Sequence, residues 1–325
     1  MSEFYDKLEE LKDTIPEKYQ ALIRQSFDNY CLAAKGDRTA KEENCCTYLE
    51  LVVQQIKNPY FFEPFHKKIT SPFDYHKFAM DFMKPLIVME ESTVKGDKNL
   101  AKIEELTAAG ENVILLANHQ TEPDPQIIFC LLKDKHPKLV DNIIFIAGDR
   151  VVTDPMSVPF SLGCNLICIF SKKHIENPPE RKLDKLKHNQ RTMKIFSELL
   201  SRGGQCIYVA PSGGRDRPDD KGIVDVAPFD PQSIEMLRLM SNQAGSRTHF
   251  FPLALDTYDI LPPPSSVEVE LGEVRTAKRS AAHLYFGPEI DMDTFAGSEE
   301  SDKRVKRQKR ADYIWSIVRE LYHSL

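Results

Sequence analysis

Short apolar segments alternate with amphipathic stretches from about residue 97 onwards, and this alternation constrains the fold more than any other feature of the chain. The apolar segments cover residues 113–116, 143–147, 166–170, 207–210, 250–255, 267–271 and 284–286. They are too short for typical helices and rich in strand-forming residues, so they predict buried strands. Helical patterns at 125–135 and 180–201 separate the earlier strands, which indicates βα units and a largely parallel sheet. The late strands follow one another closely and predict an antiparallel extension.

The first 91 residues have a different pattern, with apolar residues at three- and four-residue intervals and breaks at Pro16, Gly36 and Pro59. This spacing predicts a small bundle of amphipathic helices. Further helical patterns cover residues 99–109 and 299–322. We therefore predict an α/β protein with a helical bundle domain over 1–91 and an α/β domain over 92–325. The second domain would contain a mixed, largely parallel central sheet flanked by helices.

A histidine and an aspartate stand five residues apart directly after the first predicted strand of this second domain. His119 follows the apolar run 113–117, and Asp124 precedes Pro125 and the apolar run 127–132, a pattern typical of a helix start. We expect Asp124 near the N-cap of this helix and Pro125 at its first position. His119 would then lie at the carboxyl end of a strand, where open α/β sheets bind ligands.

The chemistry of this pair suits acyl transfer. A neutral imidazole can take the proton of an alcohol that attacks a thioester, and a nearby carboxylate fixes its tautomer and stabilises the imidazolium. This predicts His119 as a general base with Asp124 as its partner. The alternative is structural: a turn histidine bonded to the backbone, and an aspartate that only caps a helix.

Positive charge follows two other predicted strands. Lys173 and His174 come after 166–170, and Arg215 and Arg217 come after 207–210 within a turn that contains two glycines. In a parallel sheet these strand ends share the edge that carries His119. Arginine pairs can bind a phosphate through two parallel hydrogen bonds each, so these residues predict an anion site. The alternative is that they are solvated loop charges, with the arginines paired to Asp216, Asp219 or Asp220.

The composition argues against several other classes of protein. The chain has 325 residues, 41% of them hydrophobic, which is enough for a large core, and its formal net charge of −6 argues against nucleic-acid binding. Its seven cysteines lack the spacing of a zinc site, and Cys164, Cys168 and Cys206, which lie in apolar runs, are predicted to be reduced core residues. No apolar run approaches the roughly 20 residues that cross a bilayer. We therefore expect a soluble protein without metal or cofactor, with at most peripheral membrane contact.

Three more runs, together with the His119–Asp124 block, carry a resemblance to a known family. They are AGDRV at 147–151, NLICIFSKKH at 165–174 and APSGGRDRP at 210–218. With them the chain resembles the soluble, plastid-type glycerol-3-phosphate 1-acyltransferases from about residue 75 to residue 325, and its N-terminal region resembles their four-helix bundle. The resemblance implies that His119 is the base and Asp124 its partner. It implies a glycerol-3-phosphate clamp made of Lys173, His174, Arg215 and Arg217.

Pro123 departs from the family pattern. It stands inside the block from His119 to Asp124, at a position where the family also has a small residue such as alanine, and it stiffens the turn while sparing both catalytic side chains.

The expected reaction moves a fatty acyl group from acyl carrier protein or coenzyme A to the sn-1 hydroxyl of glycerol 3-phosphate, the first step of phospholipid synthesis. We expect the acyl chain between bundle and sheet, and oxyanion donors near Gly213 and Gly214 or at the start of the helix after Asp124. An acidic carrier protein would dock on a basic surface. The candidates are Lys172, Arg181, Lys182, Lys185 and Lys187, or the cluster from Lys303 to Arg310.

Three other functions stay open from the sequence. An acyltransferase for 1-acyl-glycerol 3-phosphate shares the motif but usually works at a membrane, and the chain shows no anchor. A non-catalytic module that binds acyl carriers or phospholipids is disfavoured by the intact His119 and Asp124, and a phosphohydrolase by the lack of metal ligands. Since no transit peptide is evident, the expected compartment is the bacterial cytoplasm, or the plastid stroma if the chain is a mature form.

Overall fold

The computed structural model describes residues 2–171, 174–264 and 275–325, and eight strands in them form one sheet. In chain order these are β1 Phe65–His66, β2 Thr93–Lys95, β3 Asn112–Ala117, β4 Ile144–Gly148, β5 Asn165–Ile169, β6 Cys206–Val209, β7 Thr248–Asp256 and β8 His283–Phe286. Their order across the sheet is β1-β5-β4-β6-β3-β7-β8-β2.

The five central strands, β3 to β7, all run parallel to one another. The carboxyl ends of β5, β4, β6 and β3 therefore lie side by side at one edge of the sheet. Strand β8 is antiparallel to β7, and β1 is antiparallel to β5. The predicted largely parallel sheet with a late antiparallel extension is confirmed.

Helices flank this sheet and build the N-terminal region. The N-terminal α-helices are α1 Glu3–Leu11, α2 Glu17–Ala33, α3 Arg38–Lys57 and α4 Tyr75–Met83. The others are α5 Asp97–Ala108, α6 Asp124–Leu132, α7 Pro137–Asn142, α8 Val158–Ser161, α9 Lys182–Arg202, α10 Pro231–Gln243 and α11 Lys303–His323. The predicted breaks at Pro16, Gly36 and Pro59 coincide with the ends of these N-terminal helices.

The core has one layer on each face of the sheet. On β3, Val113 and Leu115 pack into a cluster that continues into α1 to α6, whereas Ile114 and Leu116 pack into a second cluster with α9, α10 and α11. All four side chains are fully buried. A strand buried on both faces needs apolar residues at every position, and this explains the continuous apolar run in the sequence.

The N-terminal helices share the first of these clusters with the sheet. This single cluster includes residues from Phe4 in α1 to Phe286 in β8. Tyr48 on α3 also donates a hydrogen bond to the carbonyl of Met156, at 2.8 Å. The division of the chain into domains at residue 91 stays a prediction.

Several elements differ from the sequence predictions. Strands β1 and β2 have two and three residues, too short for a recognisable pattern, and α10 was missed although Asp230 and Pro231 form a typical helix start. The predicted strand at 267–271 lies outside the described residues. Helix α6 begins one residue earlier than predicted, with Pro123 at the N-cap position and Asp124 as its first residue.

Candidate active site

His119 and Asp124 form a hydrogen-bonded pair in the turn between β3 and α6. The imidazole Nδ1 lies 2.8 Å from Asp124 Oδ2. The aspartate is completely buried, whereas 30% of the histidine side chain is exposed. Because Nδ1 faces a carboxylate, the proton of the neutral ring belongs on Nδ1, and Nε2 is the nitrogen that can accept another.

Asp124 holds the turn through four further hydrogen bonds. Its oxygens accept from the backbone N–H groups of Gln120 and Thr121 and from the hydroxyls of Thr121 and Thr257. Its side chain therefore bonds backwards into the turn, so it does not act as the forward-facing helix cap that the sequence suggested. Burial alone would raise the Asp124 pKa, but the bond and charge of His119 and the other donors hold it below its ordinary value.

The basic turn after β6 is attached directly to this histidine. The backbone N–H of Asp216 donates to the carbonyl of His119 at 2.6 Å, and the Asp216 carboxylate accepts from the Asn118 side chain at 2.9 Å. Asp216 is fully buried, and burial raises its pKa to about 6. Arg215 and Arg217 flank it in the chain, so their backbone positions are adjacent to the His119 turn.

The arginines lie in a loop that is shaped by glycine. Gly213 has a φ of +67°, in the left-handed region that favours glycine. The guanidinium group of Arg217 donates to the carbonyls of Arg215 at 3.3 Å and Pro264 at 3.4 Å. The Asp216 carboxylate instead faces Asn118 and the N–H of Ala227.

His174 lies at the adjacent strand ends, where it contacts Asp149. Its Nδ1 is 3.0 Å from the Asp149 carboxylate, which also accepts from the N–H of Ser171 at 3.1 Å. Asp149 follows β4 and His174 follows β5, so the order of strands brings this pair to the same edge as His119. The predicted Lys173 lies outside the described residues. The roles of the four predicted clamp residues stay predictions.

A cavity of about 200 Å³ opens beside His119 and Asp124. The N-terminal helices contribute Tyr30, Tyr48 and Phe82 to its wall, and the sheet contributes Phe145 and Tyr208. It thus lies between the helical region and the sheet, where an acyl pocket was expected. Its mostly apolar lining suits a hydrocarbon chain.

A buried ionic cluster in the cavity wall was not found from the sequence. Arg275 Nη2 lies 3.1 Å from both Glu122 and Asp154 and 2.9 Å from Ser157 Oγ. Burial would raise the Glu122 pKa, but the charge of Arg275 and the bond from Ser157 hold it below its ordinary value. Glu122 belongs to the His119–Asp124 turn, whereas Arg275 stands in no recognisable motif.

The described residues contain no group of three or more histidine, cysteine, aspartate or glutamate side chains that could hold a metal ion. None of the helices within 2–171, 174–264 and 275–325 is long and apolar enough to cross a membrane.

Comparison with known proteins gives one family and a consistent set of relatives. Residues 91–256 match the model of the acyltransferase family. The chain is 41% identical over 299 residues to a chloroplastic glycerol-3-phosphate acyltransferase of Cucurbita moschata. The aligned segment covers 90% of this chain and 64% of that relative. It is 38% identical over 319 residues to a chloroplastic glycerol-3-phosphate acyltransferase of Pisum sativum, covering 96% and 69%. An Arabidopsis thaliana relative of the same description is 38% identical, with 90% and 64% covered.

Proposed function

This chain belongs to the acyltransferase family, as the chloroplastic glycerol-3-phosphate acyltransferases do, and from this premise we propose its function. The proposed reaction is acylation of the sn-1 hydroxyl of glycerol 3-phosphate. The acyl group comes from a thioester of acyl carrier protein or coenzyme A, and the products are 1-acyl-glycerol 3-phosphate and a free thiol. The chain spans 64% of the length of two of the relatives compared, so the activity of the whole proteins is carried over here as a proposal.

The observation that carries the proposal is the bond between the Asp216 N–H and the His119 carbonyl. It attaches a turn with two arginines to the turn with the candidate base. A phosphate bound by Arg215 and Arg217 would bring the hydroxyl group of the same small molecule to His119. Holding the two reactants in line in this way supplies much of the rate gain in such reactions.

In the proposed mechanism His119 Nε2 takes the proton as the hydroxyl oxygen attacks the thioester carbonyl. Asp124 keeps the second proton on Nδ1 and stabilises the imidazolium that forms. Collapse of the tetrahedral intermediate breaks the C–S bond, and the proton on His119 passes to the leaving thiolate. General-base assistance of this kind contributes roughly a hundred- to ten-thousandfold. No covalent enzyme intermediate is required.

His174 and Lys173 are proposed as further phosphate ligands, and the cavity beside His119 as the acyl pocket. Its lining is mostly apolar, and His119 and Asp124 are among the residues that line it. The oxyanion donors stay a prediction, at the Gly213–Gly214 turn or at the start of α6.

The structure changes the set of residues proposed for carrier docking. Lys185 is buried, and so is Arg310, which donates to Glu235 and to the carbonyl of Met292. Neither can form part of a docking surface. The surface candidates that remain on α9 and its approach are Arg181, Lys182 and Lys187, and those on α11 are Lys303 to Lys309. Lys172 lies outside the described residues.

The relatives compared are chloroplastic, and we therefore place the plastid stroma ahead of a bacterial cytoplasm as the proposed compartment. Peripheral contact with a membrane stays a prediction.

The test is an assay for free thiol with purified protein. It is run with an acyl-coenzyme A and, in parallel, with an acyl-acyl carrier protein, and each donor is offered glycerol 3-phosphate, its 1-acyl derivative, or water alone. We expect release of thiol only with glycerol 3-phosphate, and loss of that release in His119→Ala. The control is His136→Ala, which removes another histidine paired with a carboxylate, Glu104 at 3.0 Å. Faster release with the 1-acyl derivative would favour the second acyltransferase function, and no release with any acceptor would refute the proposal.

A further inference from the structure

We propose that Lys185 is a positioning residue for glycerol 3-phosphate, because its buried ammonium group fixes the backbone that presents His174. This inference rests on the proposed function, and it concerns a residue that the sequence offered only as one of several basic candidates for carrier docking. In the sequence Lys185 belongs to a run of basic residues that is typical of a solvated helix face.

The Lys185 side chain points inward from α9. It is 5% exposed, and its Nζ donates to the carbonyl of His174 at 2.7 Å and to the carbonyl of Asn177. The same Nζ lies 5.5 Å from the centre of the Phe170 ring. The ammonium group therefore connects the first turn of α9 to both ends of the segment 174–177.

His174 is thus held from two directions. Its carbonyl is bound by Lys185, while its ring Nδ1 is bound by Asp149 at 3.0 Å. With Nδ1 occupied by a carboxylate, Nε2 is the ring nitrogen left for a phosphate oxygen. A histidine fixed both at its backbone and at one ring nitrogen presents the other nitrogen in one direction, as a preorganised ligand requires.

The charge of Lys185 also favours a role in binding. Its partners in the described part of the chain are two carbonyl oxygens and an aromatic ring, without a carboxylate among them. A lysine is rarely buried this deeply unless it is paired with an opposite charge. A phosphate bound at His174 would supply that negative charge nearby.

The experiment compares Lys185→Met with Lys194→Met in the free-thiol assay, with whichever of the two thioester donors, acyl-coenzyme A or acyl-acyl carrier protein, the parent protein uses. Lys194 is exposed on the same helix, so its substitution removes the same charge without touching the segment 174–177. We expect Lys185→Met to raise the KM for glycerol 3-phosphate about tenfold. This is the effect expected if a displaced His174 loses one hydrogen bond to the charged phosphate. The KM for the thioester should stay unchanged. Lys194→Met should match the parent protein in both.

A double-substitution cycle separates positioning from a general structural role. If Lys185 acts through His174, adding Lys185→Met to His174→Ala should raise the KM for glycerol 3-phosphate little further. Independent, multiplying effects would overturn the proposal, and so would an unchanged KM in folded Lys185→Met.

Lys185→Gln, which keeps an amide donor, serves if Lys185→Met does not fold. If neither variant folds, Lys185 is a folding residue and the proposal is overturned. An active parent protein with an unchanged KM in the variant refutes this inference alone. A parent protein that does not acylate glycerol 3-phosphate refutes the proposed function as well.

Discussion

Replacing Asp124 with asparagine removes one negative charge from the catalytic turn while it keeps the shape of the side chain. In the native turn Oδ2 accepts from His119 Nδ1 at 2.8 Å and from the N–H of Gln120 at 2.9 Å. Oδ1 accepts from the N–H and hydroxyl of Thr121 and, at 2.7 Å, from the hydroxyl of Thr257. Every partner donates, so the amide NH₂ of an asparagine meets a donor in either orientation.

Two effects follow from this geometry. If the NH₂ group faces His119, it donates to Nδ1 and moves the ring proton to Nε2, so the base is lost. If it faces the threonines, the charge that stabilises the imidazolium is still absent. We therefore expect kcat to fall roughly a hundred- to ten-thousandfold. A buried donor without an acceptor should also cost about 1–3 kcal/mol of unfolding free energy.

The acid limb of stability gives a second readout of the same substitution. The folded-state Asp124 pKa lies below the ordinary 3.8, so the carboxylate contributes stability that is present above the ordinary pKa. That contribution is lost as the pH falls through the folded-state pKa. Asp124→Asn should lack this part of the acid destabilisation.

The assay is steady-state thiol release at saturating thioester and glycerol 3-phosphate, combined with urea unfolding at several pH values. Asp134→Asn is the matched control, because Asp134 is exposed just after α6 and lies outside the catalytic turn. It should change neither kcat nor stability. An Asp124→Asn protein whose kcat stays within about tenfold of the parent would refute the assigned role of this carboxylate.

Three further predictions concern the rest of the site. Arg215→Ala and Arg217→Ala should each raise the KM for glycerol 3-phosphate about tenfold or more in steady-state assays. The control is Lys221→Ala, which removes an exposed cation of the same loop and should leave this KM unchanged. Equal effects of all three substitutions would contradict a specific clamp. Ala277 lines the cavity, so Ala277→Leu should lower the rate with long-chain thioesters more than with medium-chain ones, and an equal loss across chain lengths would argue against an acyl pocket there. Burial raises the pKa of Asp216 to about 6, so the folded protein favours the protonated carboxyl. The stability that this preference contributes is fully present below the ordinary pKa of 3.8 and is lost as the pH rises through about 6. In urea titrations, the free energy of unfolding of Asp216→Asn should depend less on pH between these two values than that of the parent protein. An identical pH dependence in the two proteins would contradict the raised pKa of Asp216.

Local patterns in the chain determined most of the architecture. Residues 113–117 are apolar at every position because β3 is covered on both faces, and this made the strand and the parallel sheet visible in the sequence. Helices α1 to α4 were predictable from their spacing of apolar residues. Strands β1 and β2 were not, because a pairing of two or three residues depends on its neighbours in the sheet and leaves no period of its own.

The candidate base and its partner were also predictable, since His119 and Asp124 stand within one turn and their spacing alone brings them together. What only the tertiary structure decided is which distant groups join them. Asp216, 97 positions further along the chain, bonds to the His119 backbone, and Arg275 reaches Glu122 from another segment. Lys185 resembles its basic neighbours in sequence, but its side chain turns inward and donates to two carbonyls. Sequence spacing specifies contacts within a turn, whereas contacts between strand ends depend on the order of strands in the sheet, and that order is set by the packing of the whole chain.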